Sequence, residues 1–481
     1  MPVLSAAIDP VTRIEGHLKI DIKVDAVNGV QQVVEARAIG TLFRAFERVL
    51  VPRDPRDAPI ITSRICGVCP TSHAMAAALT LDQAFGVVPN DAARLLRNLV
   101  HACCYLESHI LHFYLLSLPD FIQGPGMAPW LPGLDVGRRL DRATQDILVG
   151  NYLAAITMRR KCHEMGAIWG GKLPHTPAYI AGGFTAVAHA TEKAKFQALL
   201  TEIADFINST YLPDVERLAS LYPDYFSVGR GYGHLMSFGV FEQDNAGAKM
   251  FQAGRVVGPH GAAVLPVDAS KISEHVTHSW YEDRTNNRHP AVGETAPQHP
   301  KPGAYSWLKA PRYEGTPYEC GPLARMIING SYPYSVSVLD RIRSRAQEAA
   351  LLVAAMQDWL DELPLDTPAY VENTVPFSAS GAGMTEAPRG ALGHWMDVAN
   401  SKIARYQVIT PTCWTISPQD STGQRGPLEE ALMGTPIANP DQPVEALRVI
   451  HSVDPCLDCA THVSRPGKDA KVFQAGVATP G

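Results

Sequence analysis

The sequence predicts an α+β protein: a mainly helical core, built as a helical bundle, with small sheets at its periphery. Three observations predict it. Strong helix formers with apolar spacing run from Ala74 to Ala84, from Arg94 to Leu118 and from Asp340 to Leu363. Near the start, Leu18-Lys-Ile20-Asp-Ile22-Lys-Val24 alternates apolar and polar residues as a half-buried strand does. Between Tyr222 and Tyr313 the composition shifts to Gly, Pro, His and Ser with short alternating runs such as Ser237 to Phe241. That shift predicts strands and long loops, and a separate lobe at about 222–313.

The chain has 481 residues, 46% of them hydrophobic and 19% charged, enough to bury a large core. A formal net charge of -6 and a pI near 6.3 leave no broad basic surface, so nucleic acid is not an expected partner. No basic-then-apolar segment precedes Asp9-Pro10, and the apolar run from His109 to Leu118 stops at Pro119. A chain with no secretion signal and no direct membrane span is therefore expected. Nine cysteines, an odd number without a dense framework, read as metal ligands and buried thiols rather than disulfides.

Taken in order, Pro10-Val-Thr-Arg13-Ile-Glu15-Gly16-His17 leads into the first strand. Glu15 alone reads as a surface carboxylate. Thr41 to Leu50, including Glu47, has helical spacing and is ended by Pro52-Arg-Asp-Pro-Arg-Asp57. In Arg64-Ile-Cys66-Gly-Val-Cys69-Pro-Thr-Ser-His73, Pro70 suits a first helical turn, and Thr71 or Ser72 can serve its exposed amides. The two thiols then sit at a helix N-terminus, which favours the thiolate. Cys103 and Cys104 read as buried apolar side chains, and His109 and His112 as core or supporting groups. Helix is expected to about Met158, followed by Gly170-Gly-Lys-Leu-Pro-His175 and Gly182-Gly-Phe-Thr185. A further helix is expected from Glu192 to Tyr211. After the helix ending at Leu363, a loop from Pro364 to Gly383 is expected to deliver Thr385-Glu386-Ala-Pro388-Arg389.

The chemistry lies in two distant Cys-x-x-Cys pairs. The second is Asp454-Pro-Cys456-Leu-Asp-Cys459-Ala-Thr-His462. A soft, protein-held metal site commonly takes four sulfur or nitrogen ligands, so each pair calls for the other. Small zinc modules bring their pairs within a few tens of residues, and a disulfide oxidoreductase needs one pair, so a buried centre for a soft, redox-active metal fits best. His73 after the first pair and Asp454 before the second read as supporting groups, with Pro388-Arg389 as a cationic wall.

These motifs resemble those of the large subunit of nickel-iron hydrogenases. Arg13-Ile-Glu15-Gly-His17, both cysteine motifs, Gly170-Gly-Lys with His175, Glu319-Cys-Gly-Pro-Leu-Ala-Arg325 and Glu386-Ala-Pro-Arg389-Gly-Ala-Leu spread from residue 10 to 462. The resemblance implies that family's fold as one domain over 1–462, with a C-terminal extension at 463–481 removed on maturation. It implies reversible heterolytic cleavage of dihydrogen to protons and electrons. Nickel would be held by Cys66, Cys69, Cys456 and Cys459, with Cys69 and Cys459 also bridging to an iron carrying carbon monoxide and cyanide. Glu15 would relay protons, Arg389 would face the metals beside Pro388, Asp454 would be its charge partner, and Thr412 a donor to a cyanide. Glu47, His462 and the Val408 carbonyl would hold a separate divalent ion, usually magnesium.

The implied partners are an iron-sulfur small subunit and a maturation endopeptidase. Glu107-Ser108-His109 departs from the His-Asp-His of membrane-linked respiratory members, and Ser108-His-Ile-Leu-His-Phe with Pro119-Asp-Phe121, like the moderate length, looks closer to cytoplasmic subclasses. A cytoplasmic location, with membrane association through partner subunits, is expected. His73, where hydrogen-sensing members tend to carry Gln, together with the tail, favours turnover over the alternative of a regulatory hydrogen sensor.

Overall fold

The computed structural model describes residues 4–8, 16–127, 130–131, 133–137, 139–244, 246–259, 263–456 and 472–473. The early alternation forms the middle of an antiparallel sheet: β1 (Leu4–Ile8), β2 (Leu18–Val27) and β3 (Val30–Gly40). Leu18, Ile20, Ile22 and Val24 face the core, while Lys19 and Lys23 pair with acidic neighbours outside.

The helix expected from Thr41 to Leu50 is confined to a single turn, Phe46–Val49, and Ala45 before it is left-handed. Tertiary partners override the local pattern. Thr41 donates to the His17 carbonyl, Phe43 stacks on Trp307, and Arg44 donates to the Arg64 and Ile65 carbonyls.

Helix α1 (Pro70–Phe85) starts directly after Cys69, with proline in its first turn. Thr71 and Ser72 do not cap it. Ser72 Oγ bonds His101 Nε2 at 2.9 Å, and Thr71 Oγ1 lacks a partner among the described residues. Helix α2 (Asp91–Leu111) is capped by the Asn90 side chain and is buried on every side from Leu95 onward, the mark of a central helix. Each fully buried Leu there contributes about 1.5–3 kcal/mol.

Helix α3 (Arg142–Gly170) runs well past Met158, where the sequence suggested an end. The glycines near its close serve packing rather than a break: a Cβ on Gly166 would lie 2.0 Å from Leu173 Cδ1 and 3.1 Å from Cys103 Cβ. Helices α4 (Ala190–Phe206), α5 (Leu212–Leu221) and α6 (Val338–Glu362) complete the bundle around α2. Residues 222–313 form two-stranded pairings and loops, as expected.

The expected loop to Gly383 ends earlier. An antiparallel sheet follows, of β4 (Ser378–Ala387), β5 (Gly390–Ala399) and β6 (Lys402–Ile409). It lies against the backbone of α1, where a Cβ on Gly383 would meet the Ala76 carbonyl at 2.1 Å. The hairpin end at Pro388-Arg389 is thereby carried to the start of α1. Helix α7 (Val444–Ser452) then leads into the loop of Cys456, and β7 (Val472–Phe473) pairs parallel with β1, Ala7 opposite Val472.

Candidate metal centre

Cys66, Cys69 and Cys456 converge in the interior, their sulfurs all within 4.8 Å of one another and each cysteine at most 2% exposed. Cys66 Sγ lies 2.9 Å from Cys69 Sγ and 3.2 Å from Cys456 Sγ. Two metal–sulfur bonds of about 2.3 Å span such separations, so the cluster fits one soft ion. Cys459, Glu15 and His462 lie outside the described residues.

The local chain explains the geometry. Cys69 is the residue before α1, and the N–H groups of Cys69 and Val68 turn to Cys66 Sγ at 3.0 and 3.4 Å. Backbone N–H donors stabilise negative charge on that sulfur. On the other side, carbonyls at the end of α7 are taken by His112 Nε2, 2.8 Å from His451 O, and by Arg345, 3.4 Å from Ser452 O. Thus His112, read as a supporting group, fixes the exit of α7. Asp454 follows with φ 58°, a left-handed conformation unusual for a residue before proline. Thr412 Oγ1 accepts from the Cys456 N–H at 3.3 Å and keeps its own proton to donate.

Arg389, 3% exposed, brings its Nε to 3.0 Å from Asp454 Oδ1, the partnership read from sequence. The contact is not aligned as a hydrogen bond: Arg389 Nε and Nη1 and both Asp454 oxygens lack hydrogen-bond partners among the described residues. Burial works against the charge on Arg389, but Asp454 and the three cysteines outweigh it and hold its pKa well above the ordinary value. Burial likewise pushes the Asp454 carboxyl up, and Arg389 leads the groups that bring it below the usual range. A permanently cationic group with unused donors beside three thiols suits anionic or polarisable ligands on the same metal. Pro388 accepts, through its carbonyl, from Arg325 at 3.0 Å.

His73 is fully buried one helical turn after Cys69, and its Nδ1 lies 3.2 Å from His394 Nε2. Burial pushes its pKa down to about 4, partly offset by the charge of Cys66, so the ring is neutral. Ser108 is buried, its hydroxyl without a partner among the described residues, and the carboxylate of Glu107 faces away to Arg159 at 3.0 Å.

Glu47 accepts from the Val408 N–H at 2.9 Å and from the Thr295 hydroxyl. It borders a cavity of about 70 Å³ with Glu274, Lys309, Val408 and Cys413. Lys309 Nζ holds Glu274 at 3.0 Å and Gln407 at 3.1 Å, so Glu274 is already paired with a cation, and Phe43, Ile65, Tyr281, Trp307 and Leu308 line much of the rest of the cavity.

Sequence reasoning missed Arg345, His394 and the pair Arg325–Glu348. One signal was available: Arg341, Arg345, Glu348 and Leu352 recur at helical spacing on the buried stripe of α6. Charges placed there must meet charges from elsewhere. Glu319 meets Arg341 at 2.6 Å, and Glu348 meets Arg325 at 2.5 Å.

The profile of the family described as nickel-dependent hydrogenase matches residues 44–125, 137–334 and 330–462, and one described as HoxL-like matches 6–34. The chain is 38% identical to the periplasmic [NiFeSe] hydrogenase large subunit of Desulfomicrobium baculatum, over 95% of this chain and 94% of that one. It is 31% identical to the uptake hydrogenase large subunit of Bradyrhizobium diazoefficiens, over 95% of each. Among solved structures, the Ni-Fe-Se hydrogenase of D. vulgaris Hildenborough in the reduced state superimposes with a TM-score of 0.92 at 40% identity, over 96% of this chain and all of that one. The candidate ligands of this chain are all cysteine.

Proposed function

The chain belongs to the nickel-dependent hydrogenase family and is a hydrogenase large subunit, the catalytic one, and from that premise we propose how its residues serve the reaction. The observation that carries the reading is the meeting of Cys66, Cys69 and Cys456 beside the Arg389–Asp454 pair.

In this reading Cys66, Cys69, Cys456 and Cys459 would hold nickel, and Cys69 and Cys459 would also hold an iron with carbon monoxide and cyanide. The metal pair, when bound, supplies the redox-active Lewis-acid site at which dihydrogen is split. Glu15 accepts the proton released at the thiolates and passes it outward, a role suited to a carboxyl whose pKa burial can raise. Arg389 keeps positive charge over the site and directs its unused donors inward. Asp454 holds that guanidinium in place. Pro388 sets the approach of the Arg389 backbone, Thr412 donates its hydroxyl proton to a cyanide, and His73 supports the thiolates from α1. The cavity at Glu47 takes magnesium, with the Val408 carbonyl and His462 completing the protein ligands.

Electrons need an exit, which an iron-sulfur small subunit provides through a large apolar interface. Residues 1–462 act as one composite domain, with 222–313 as its strand-rich lobe. No helix among the described residues is long and apolar enough to cross a membrane. A cytoplasmic home rests on the run from Ser108 to Phe113 with Pro119-Asp-Phe121 and on the moderate length, whereas the D. baculatum relative is named periplasmic; cell fractionation decides between them.

Replacing one thiolate opens the ligand set, so Cys456→Ser should lose stoichiometric nickel and all hydrogen uptake. Normal nickel content with normal uptake in that variant would overturn the ligand assignment. The extension at 463–481 is removed by an endopeptidase after metal insertion, freeing His462 to reach the cavity at Glu47. Intact mass of active, nickel-loaded protein should end at His462. A mass that retains the extension would instead support a sensor.

A further inference from the structure

The helix that delivers the second cysteine motif is fastened twice to one residue. Only Val453, Asp454 and Pro455 separate the end of α7 from Cys456. Arg448 on α7 is buried and donates through Nε to the Asp120 carbonyl at 2.9 Å, through Nη1 to the Tyr225 hydroxyl at 2.6 Å and through Nη2 to the Val136 carbonyl at 3.0 Å. Three residues on, His451 Nδ1 lies 2.5 Å from Asp120 Oδ2, and both residues are fully buried. Asp120 itself ends a single turn, Leu118–Asp120, that follows α2 through residues 112–117. It is a joint between the central helix and the helix that leads to Cys456.

The His451 carbonyl continues this series of contacts. It accepts from the Asp454 N–H at 3.0 Å, which closes the turn into Cys456, and from His112 Nε2 at 2.8 Å. Asp454 is left-handed there, with φ 58°, and proline follows it. A conformation so sparsely populated persists only where its surroundings over-determine it. His451 supplies that constraint, because its ring is held by Asp120 and its carbonyl by two donors. The demand on the turn is strict. Cys456 Sγ stands 3.2 Å from Cys66 Sγ, and metal–sulfur bonds of about 2.3 Å tolerate deviations of only about 0.2 Å.

We propose that Asp120 is a positioning residue of the metal centre, holding His451 and through it the Asp454 turn, so that Cys456 meets the first cysteine pair and Asp454 meets Arg389. This rests on the reading of Cys456 as a metal ligand. Asp120 serves as an acceptor of the His451 N–H, so an amide oxygen can replace its carboxylate and an apolar side chain cannot. The effect crosses 331 positions of sequence, from Asp120 to His451, before it reaches the thiol.

The test uses the nickel-loaded heterodimer. Asp120→Asn keeps an oxygen toward His451 and leaves the backbone carbonyl to Arg448, whereas Asp120→Leu fills the volume and accepts nothing. The nickel electron paramagnetic resonance of the oxidised protein should keep its g-values in Asp120→Asn. In Asp120→Leu the g-values should move, and nickel should be held about 10- to 100-fold less tightly against a chelator, at unchanged far-ultraviolet circular dichroism. Parental g-values and parental nickel retention in Asp120→Leu would overturn the proposal. Equal damage in Asp120→Asn would overturn it too, since the charge and not the acceptor would then matter. A measurement on the parent covers a variant that fails to fold. In 15N-histidine-labelled protein, the resonance lost in His451→Asn should be that of a ring with its proton on Nδ1, and a bare Nδ1 would overturn the assignment. A parent that holds no nickel would instead sink the ligand reading on which this one stands.

Discussion

Two buried arginines stand on either side of one hairpin turn and are treated in opposite ways. Arg325 is fully enclosed, and all five of its N–H groups are engaged. Nε and Nη2 clasp Glu348 at 2.5 and 2.7 Å, Nη1 reaches Glu386 at 2.7 Å, and Nη1 and Nη2 also serve the carbonyls of Ala387 and Pro388. Arg389, one residue beyond those carbonyls, leaves Nε and Nη1 without hydrogen-bond partners among the described residues. Burying a guanidinium is costly unless its donors are used, so the two patterns mark different employments. The satisfied arginine fixes backbone, and the unsatisfied one holds its donors for a guest. Even the carboxylates on Arg325 divide: Glu348, with two arginine contacts and His109 Nε2 at 2.7 Å, is brought down to about 2 against its burial. Glu386, with one arginine contact and the Phe238 N–H, stays raised by burial.

The comparison breaks most visibly at Arg325. Arg325→Leu strands two carboxylates in the interior and should cost about 3–5 kcal/mol of stability, read by denaturant unfolding, with loss of soluble protein. Arg389→Lys should leave the unfolding midpoint within about 1 kcal/mol of the parent, because an ammonium can still face Asp454. Turnover should fall about 10- to 150-fold, since a charge-assisted hydrogen bond is worth about 1.5–3 kcal/mol. If Arg389→Lys instead unfolded the protein while keeping specific activity, the two arginines would have exchanged roles.

A smaller effect sharpens the contrast from the side of Arg325. Burial first, and then the charge of Arg325, pushes His101 down to about 3 from 6.5. The unfolded chain therefore binds this proton, and the folded one does not, between those two values. Stability from this group is complete above pH 6.5 and falls as pH drops toward 3, by at most about 1.4 kcal/mol per pH unit. His101→Gln, which can keep the bond to Ser72, should flatten that slope between pH 6.5 and 4 and match the parent's slope above pH 7. Parallel curves would show that His101 does not set the acid limb.

What the chain disclosed in advance follows from how local each signal is. Cys66, Cys69 and Cys456 were legible because paired thiols have few alternative uses, Asp454 because it sits beside the second pair, and its partnership with Arg389 through the resemblance carried by Glu386-Ala-Pro-Arg389. The α1 start was legible because proline after Cys69 acts locally. The helix expected at 41–50 failed because Phe43 and Arg44 take partners from Trp307 and residues 64–65, which no local pattern records. Strand β4 was read as loop because its glycines, needed for contact with α1, look like breakers when seen alone. His394 was invisible for the same reason: its partners are Tyr406, across a strand pairing, and His73, 321 positions away.

The separation of the two cysteine motifs also governs when the site can exist. Cys66 and Cys456 touch across 390 positions. Closing so long a loop is entropically late in folding, and contacts of such sequence separation form slowly. At about 5–20 residues per second of synthesis, the first pair of thiols waits roughly 20–80 s for the second to be made. Through that interval Cys66 and Cys69 are an incomplete pair ahead of α1, open to oxidation or to the wrong metal. A cell that makes this chain must guard two thiols in time as well as in space.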